Sequence, residues 1–331
     1  KAQYHAADQS VLLEVNRVDA EAIGFASPNM IGPDQIRIDR VGAVGELQLT
    51  PNLIFAKTFS VNSDVGKLTA NGKFDLNQLT QLTQQGRLID SSFQMDGTID
   101  LAKIVKMLPA TLQLHQDLEV TAGTVSFQVN SQRETDQNPG RRLVVNVDTA
   151  NLRANRSGKE VVWAKPIRLV GTFAETNGQL SIENLTCESE FLNLKGGGNL
   201  QSASFETDGD LSILTERVGQ FVDLDGTKLA GLVSGKFGWQ AEAGVRPNLA
   251  DPFENLPLQI GGNFSIDKPL IELPGVPRWQ PSELNVKFSA DALTRRRQTP
   301  AIGTISDPTQ QPAAPGYALR LEQGGVQVDI G

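Results

Sequence analysis

Hydrophobic and polar residues alternate along much of this chain, a pattern typical of β-strands with one apolar face. Over residues 41–49 the apolar positions share one parity, and Thr50-Pro51-Asn52 then turns the chain. Alternation continues over 54–74, with a predicted turn at Gly66-Lys67, and its parity changes between residues 56 and 59. Such a change predicts a bulge or an extra turn at that point. The whole pattern predicts an antiparallel meander.

The same pattern recurs later in the chain. Residues 41–74 slide onto 167–200 without a gap at a step of 126 residues, and apolar character is kept at most equivalent positions. The phrase SFQMDG at 92–97 is repeated as SFETDG at 204–209. Repetition at a fixed step is typical of arrays in which each unit buries its apolar face with its neighbours.

Short helices are predicted after three aspartates, Asp75, Asp100 and Asp210. An aspartate carboxylate at a helix N-cap accepts a hydrogen bond from an otherwise unpaired backbone N–H. The stretches after Asp100 and Asp210 occupy the same place in the two copies, and we expect them to cover an end or an edge of the sheet. The stretch 75–88 is extra length in the first copy, an inserted helix or loop.

These observations predict a mostly β fold of internally repeated antiparallel meanders, forming an elongated curved open sheet or groove with a few short capping helices. Residues 1–130 form the first predicted unit, including the inserted helical segment. Residues 131–245 form the second, and 246–331 a partial third. The third contains a Pro- and Gln-rich stretch at about 297–316, which predicts a flexible loop.

Composition limits the possible functions. Thirty-eight acidic and thirty basic residues give a net charge of −8, which repels phosphate backbones and disfavours nucleic acid as a partner. The single cysteine excludes an intrachain disulfide. No run of 18 apolar residues occurs, so no segment of this sequence is expected to span a bilayer.

Catalytic and metal sites find little support among the residues. The two histidines, His5 and His115, are far apart in sequence, and each is expected to be an exposed side chain. With two histidines and one cysteine, no structural zinc site is expected. Cys187 aligns with Val61 of the first copy, which predicts a small apolar side chain rather than a nucleophile. The sequence therefore predicts no enzyme, no catalytic residue, no metal and no cofactor.

Two longer phrases carry a family resemblance: SFQMDGTIDLAKIVKMLP at 92–109 and SFETDGDLSILTERVGQF at 204–221. They are followed by AGTVSFQV at 122–129 and LAGLVSGKFGW at 229–239. This order, a strand with a Gly-containing turn, a short Asp-Leu helix and a strand opening on a Gly step, resembles the AsmA-like family, which includes the TamB-type proteins of the bacterial envelope.

The resemblance implies a repeating β-groove protein whose concave apolar face holds the acyl chains of phospholipids or other lipids. It implies a location in the periplasm or cell envelope and a part in outer-membrane assembly or homeostasis. Family members carry an N-terminal anchor in the inner membrane. This chain shows no such segment, so inner-membrane anchoring would require residues upstream of Lys1.

The repeated apolar positions are the candidate groove lining. They are Phe59, Val61, Val65, Leu68 and Phe74 in the first copy, and Leu185, Cys187, Phe191, Leu194 and Leu200 in the second. Two alternatives remain open. The same residues could form the core of an ordinary β-sandwich, and the chain could be a structural or adhesive β-sandwich array that binds protein partners.

Overall fold

The computed structural model describes residues 2–5, 10–26, 32–50, 53–75, 92–112, 114–115, 117–132, 140–163, 165–176, 179–242, 256–296 and 317–330. Its strands are β1 (Ala2–His5), β2 (Ser10–Ala26), β3 (Gln35–Leu49), β4 (Leu53–Ser63), β5 (Gly66–Asp75), β6 (Phe93–Asp100), β7 (Leu118–Gln132), β8 (Arg141–Arg156), β9 (Lys159–Val162), β10 (Arg168–Thr176), β11 (Gln179–Glu188), β12 (Leu192–Asn199), β13 (Ser202–Asp210), β14 (Lys228–Ala241), β15 (Pro257–Glu272), β16 (Glu283–Arg296) and β17 (Tyr317–Ile330). The helices are α1 (Leu101–Met107), α2 (Pro109–Leu112) and α3 (Leu211–Phe221).

These seventeen strands form one long antiparallel sheet, which is open rather than closed. Strands that are neighbours in sequence pair with each other from β1 to β9, and again from β10 to β17. Strand β8 joins the two runs, because its first half pairs with β10 and its last residues pair with β9. The predicted mostly β, open, repeated sheet with a few short helices is confirmed.

The predicted change of parity is a β-bulge, and the bulge recurs in both copies. The register between β4 and β5 shifts between Ala56 and Phe59, and that between β11 and β12 shifts between Ile182 and Leu185, 126 residues later. The apolar positions of the sequence change parity at this point, and in a regular strand they would then point to the other face. The extra residue of the bulge compensates for this change. The apolar side chains on either side of the bulge therefore stay on one face.

Two of the three predicted helix caps, those at Asp100 and Asp210, are present. The Asp100 carboxylate accepts a hydrogen bond from Lys103 N at 3.2 Å, and that of Asp210 accepts one from Ser212 N at 2.8 Å. The sequence did not predict the separate helix α2, which begins at Pro109, a residue suited to a first helical position because it needs no N–H partner. The inserted segment at 75–88 lies outside the described residues beyond Asp75, as does the loop at 297–316. The division into three units stays a prediction.

The end of the sheet that carries the helices holds its best-buried cluster. Val120 and Ala154, paired between β7 and β8, pack with Phe221 of α3. Helix α3 begins at the end of β13, and its last turn reaches back to β7 of the first copy and to β8. Trp163 closes the cluster, with its ring centroid 5.7 Å from that of Phe221. The two copies are therefore joined by apolar packing as well as by the sheet.

His115 lies in this junction and is half-buried, so the prediction of an exposed side chain is wrong. Its Nε2 is 2.9 Å from Gly219 O, and its Nδ1 is 3.3 Å from a guanidinium nitrogen of Arg156. Because arginine only donates, Nδ1 is the acceptor and Nε2 carries the proton that binds the carbonyl. The side chain of His5, in β1, lies outside the described residues.

Asp34 ties the β2–β3 hairpin to α2. Its buried carboxylate accepts hydrogen bonds from Thr111 N at 2.6 Å and Ala110 N at 3.3 Å. Burial by itself raises the pKa of Asp34, but the hydrogen bonds from Thr111 and Ala110 outweigh it, and the pKa is lowered from its ordinary value. The charged carboxylate is therefore the form that stabilises this contact.

Gly198→Ala should destabilise the protein by about 2–4 kcal/mol, because the residue has φ of 144° and an added Cβ would overlap the backbone of Ser202 and Ala203. Gly325→Ala is the control, since an added Cβ there meets nothing within 4 Å, and its effect should stay within about 0.5 kcal/mol. Urea unfolding measures both. Equal effects would contradict the close approach of the backbone at Ser202 and Ala203 to Gly198.

Asp34→Asn should destabilise the protein at pH 7 and have a smaller effect at low pH. A carboxyl with a lowered folded pKa adds stability above its unfolded value of about 3.9 and loses it as the pH falls through the folded value. Unfolding at pH 7 and pH 3 tests this, with Asp39→Asn, an exposed position on the same hairpin, as the control. A destabilisation by Asp34→Asn that is equal at both pH values would contradict the charged cap.

Candidate functional site, the apolar face of the sheet

Cross-strand register places the apolar side chains of nearly every strand on one face. Directly paired residues of antiparallel strands point to the same side. Val61 pairs with Ala43 and Leu68, and pairing continues strand by strand to Val328 of β17. We call this surface the apolar face. One continuous row of cross-strand partners on this face is Ala43, Val61, Leu68, Gly97, Phe127, Val147, Leu169, Cys187, Leu194, Thr207, Gly235, Phe264, Val286 and Val328.

The apolar face is long. Neighbouring strands lie about 4.8 Å apart, so the stripe that crosses β3–β8 and β10–β17 measures about 60 Å across the strands. Four alternate positions on a strand span about 20 Å, which sets its width. A stripe of this size is about twice as long as the roughly 30 Å hydrocarbon core of a bilayer.

Aromatic rings on the apolar face lie flat over glycines of the preceding strand. Gly235 pairs with Phe264 and Gly262 pairs with Phe288, and a Cβ on either glycine would overlap the ring. Gly97 with Phe127 and Gly196 with Phe205 repeat the arrangement. The glycines leave the space that each ring fills. The result is a smooth apolar floor rather than a row of protruding rings.

The floor is most regular over β13–β16. The rings of Phe205, Phe237, Phe264 and Phe288 follow one another with centroid separations of 5.3, 6.1 and 6.1 Å. Their planes differ by only 10–24°. Trp239 lies beside Phe205, with centroids 5.7 Å apart, and its indole N–H donates to Asn199 O at 3.1 Å. Contacts between neighbouring rings thus stabilise this part of the face.

The opposite, outer face is polar. Glu206 lies between Lys195 and Lys236, with Oε–Nζ distances of 3.0 and 2.5 Å. The hydrogen bond from Lys236, followed by that from Lys195, lowers the pKa of Glu206 from its ordinary value. Asp148 and Arg168 form a similar cross-strand pair at 2.8 Å. Charges directly opposite one another favour this register and keep the outer face in water.

No second layer of described residues covers the apolar face. Most of its large side chains are half-buried against their neighbours in the sheet, Phe205 and Leu284 are buried at 5% and 7% exposure, and Val326 at the β17 edge is 69% exposed. The accessible surface of the chain is 20354 Å². A compact protein of this length exposes about 13,000 Å². A sandwich core would bury these side chains completely, so the part of the chain that the structure describes shows an open face instead.

The structure brings most of the predicted lining together. Phe59, Val61, Leu68, Leu185, Cys187 and Leu194 share the apolar face and are half-buried. Leu200 follows β12 in a bend. Phe74 lies in β5 in register with this face, but its side chain is outside the described residues. Their role as a lipid lining stays a prediction.

Val65 and Phe191 are placed differently from the rest of the predicted lining. The β4–β5 turn lies at Asp64-Val65, two residues before the predicted position, because Ser63 pairs with Gly66. Val65 O accepts a hydrogen bond from Asp100 N at 2.8 Å, and Phe191 O accepts one from Asp210 N at 3.0 Å. Both residues are therefore hairpin tips that anchor the helix caps. The Phe191 ring packs on Trp163 with centroids 5.8 Å apart.

Sequence reasoning missed the aromatic row of β13–β16. The signal was present as glycines next to phenylalanines in GKFGW (235–239) and GGNF (261–264). The predicted lining residues belong to the two matched copies, which end before β15 and β16 begin.

Cys187 is a natural probe of the face. Burial, and after it the neighbouring Glu188 carboxylate, raises the pKa of the Cys187 thiol. A raised pKa lowers the fraction of reactive thiolate at neutral pH. This environment suits an apolar packing residue rather than a nucleophile.

The described residues contain no group of three or more His, Cys, Asp or Glu side chains arranged to hold a metal ion. Among these same residues, none of the helices has the length and hydropathy needed to cross a bilayer.

Comparison of the chain with protein-family models, with curated proteins and with solved structures finds no match. The resemblance to the AsmA-like family therefore remains a hypothesis that rests on the residues quoted above.

The Cys187 thiol should react slowly with N-ethylmaleimide at pH 7, and its rate should rise most steeply above about pH 8.5, the ordinary cysteine value. Unfolding in urea should raise the rate of reaction at pH 7 to that of an exposed thiol. The control is Val44→Cys in a Cys187→Ser background, because Val44 is 44% exposed on the outer face. Equal rates for the two native proteins at pH 7 would contradict the half-buried placement of Cys187.

Proposed function

We propose that the apolar face binds the acyl chains of phospholipids or related lipids. The chain then acts as a non-enzymatic lipid-binding or lipid-transfer groove of the bacterial cell envelope, contributing to outer-membrane assembly or homeostasis. The observation that carries the proposal is the continuous, half-exposed apolar face across the strands of an open sheet.

The hydrophobic effect supports this occupant. Exposed apolar patches on soluble monomers rarely exceed a few hundred Å², and larger patches mark binding surfaces. A stripe about 60 Å long and 20 Å wide is well beyond that size. Each methylene of an acyl chain moved from water onto an apolar surface contributes about 0.8 kcal/mol. Lipid movement along such a stripe requires no catalytic group, because the surface offers similar apolar contacts from strand to strand.

The location in the envelope rests on the resemblance to the AsmA-like family and on the repeated helix-cap phrases at 92–109 and 204–221. The structure adds that both phrases occupy equivalent places. In each, a strand ends at an Asp cap that also donates its backbone N–H to the tip of a hairpin.

The alternative is a structural or adhesive β-sandwich array that binds protein partners. A sandwich requires a second sheet packed about 10 Å from the first. The described residues form one sheet, which favours the lipid groove.

Val61→Asp combined with Leu185→Asp should lower bound phospholipid about tenfold, because a carboxylate facing an acyl chain loses water without gaining a partner. Native mass spectrometry after incubation with phosphatidylglycerol and phosphatidylethanolamine vesicles measures the lipid that each protein retains. Both side chains are half-exposed, so the variant should keep its β-sheet circular dichroism.

Val44→Asp combined with Thr186→Asp is the matched control, since it adds the same charges to the outer face of β3 and β11. It should retain lipid as the unmodified protein does. A lipid-free unmodified protein, or equal loss in both variants, would contradict the proposed function. Unfolding caused only by the first pair would indicate a closed core.

A further inference from the structure

An ion pair interrupts the apolar face at the margin away from the helices. Arg141 of β8 pairs in register with Glu175 of β10, and the next pair on the same face is Leu143 with Phe173. A guanidinium nitrogen of Arg141 lies 3.4 Å from Oε1 of Glu175. The Glu175 side chain is 6% exposed and that of Arg141 is 24% exposed. The guanidinium is therefore the member of the pair that a molecule on this face can reach.

The repeat shows that this place does not require charge. The residue 126 positions before Glu175 is Leu49, which lies on the apolar face of β3. Strands β8 and β15 are equivalent in the repeat at a step of 117 residues. Each contains one non-glycine residue with left-handed backbone, Asn151 with φ of 55° and Lys268 with φ of 50°. At that step the residue equivalent to Arg141 is Leu258. Leucine therefore occupies the equivalent positions elsewhere in the same sheet.

A buried ion pair is a poor source of stability. Removing two charges from water costs several kcal/mol per ion, and replacing such pairs by apolar residues of similar volume is often neutral or stabilising. A pair that stands where other copies have leucine therefore calls for another explanation. Recognition of a charged group is one that fits its place on a face made for apolar ligands.

We propose that Arg141 binds the anionic phosphoryl group of a phospholipid whose acyl chain lies on the row formed by Leu143, Phe173 and Ile182. Glu175 is a positioning residue, because its buried carboxylate holds the guanidinium at the margin of the face. This inference rests on the proposed function and adds head-group selection to it.

The chemistry of the pair suits a phosphoryl group. The planar guanidinium donates two parallel hydrogen bonds to phosphate oxygens, which a point charge does not do. Partial burial strengthens these bonds relative to water. The apolar surface begins on the next row of the same face, where Phe173 pairs with Leu143 on one side and with Ile182 on the other. Polar head and acyl chain therefore meet matching surfaces on adjacent rows.

The test uses Arg141→Leu combined with Glu175→Leu, which restores the residue type of the equivalent positions. The protein is incubated with vesicles that contain equal amounts of phosphatidylglycerol and diacylglycerol with identical acyl chains. It is then separated from the vesicles, and native mass spectrometry measures how much of each lipid it retains. The unmodified protein should prefer phosphatidylglycerol by about tenfold, the gain expected from a hydrogen-bonded charge. The variant should take both lipids about equally, with total lipid unchanged.

Arg142→Leu combined with Glu183→Leu is the control. This neighbouring pair faces the outer side, with a distance of 2.7 Å and exposures of 47% and 38%, and its removal should leave the preference intact. Arg141→Gln combined with Glu175→Gln repeats the test with neutral isosteres, so that a folding defect of the leucine variant does not decide the result.

The outcomes separate the two proposals. An unmodified protein that binds both lipids without preference, or a preference that survives in both Arg141 variants, overturns head-group selection and leaves the lipid groove standing. An unmodified protein that binds neither lipid overturns the groove itself. Millimolar inorganic phosphate should not displace phosphatidylglycerol, and displacement would show that the site takes free phosphate instead.

Discussion

The structure depends on one constraint, the parity of side chains across an antiparallel sheet. Successive residues of a strand point to opposite faces, so a single slip in register would move the apolar side chains of a strand into the outer face. In this chain parity is maintained from β3 to β17, through the repeated bulges that follow Ala56 and Ile182. One sheet thereby acquires an apolar face and a polar face, and the apolar face needs a cover that the described residues do not supply.

The strands, the repeated bulge and two helix caps could be predicted because each depends on residues close together in sequence. Alternation of apolar and polar residues predicted the strands. The change of parity between residues 56 and 59 predicted a bulge, and the 126-residue repeat accounts for its recurrence. Asp100 and Asp210 gave the helix caps, because a cap depends only on the residues next to it. The position of the β4–β5 turn was missed by two residues, since Gly66-Lys67 contains a glycine, which turns favour, whereas the actual turn at Asp64-Val65 contains a β-branched valine. Pairing of Ser63 with Gly66 decides between them, and pairing is not local.

Long-range contacts account for the other differences. His115 lies in a polar stretch of sequence, yet α3 reaches back to bury it against Gly219 and Arg156. The partnership of Asp34 with Thr111 spans 77 residues and could not be seen in the pattern. The sequence placed Phe59 and Leu185 on one face, but whether that face was open depended on long-range packing, and the described residues form a single sheet. The Arg141–Glu175 pair became visible only when register placed it among apolar rows.

In the proposed function, lipid chains lie on the apolar face rather than elsewhere on the protein. Photocrosslinking with a phospholipid that carries a diazirine at the end of its acyl chain tests this most directly, with the modified residues identified by peptide mass spectrometry. Adducts are expected on apolar-face residues such as Leu185, Phe237 and Phe264, with outer-face neighbours such as Thr186 and Lys236 unmodified. Adducts concentrated on the outer face, or spread equally over both faces, would contradict it.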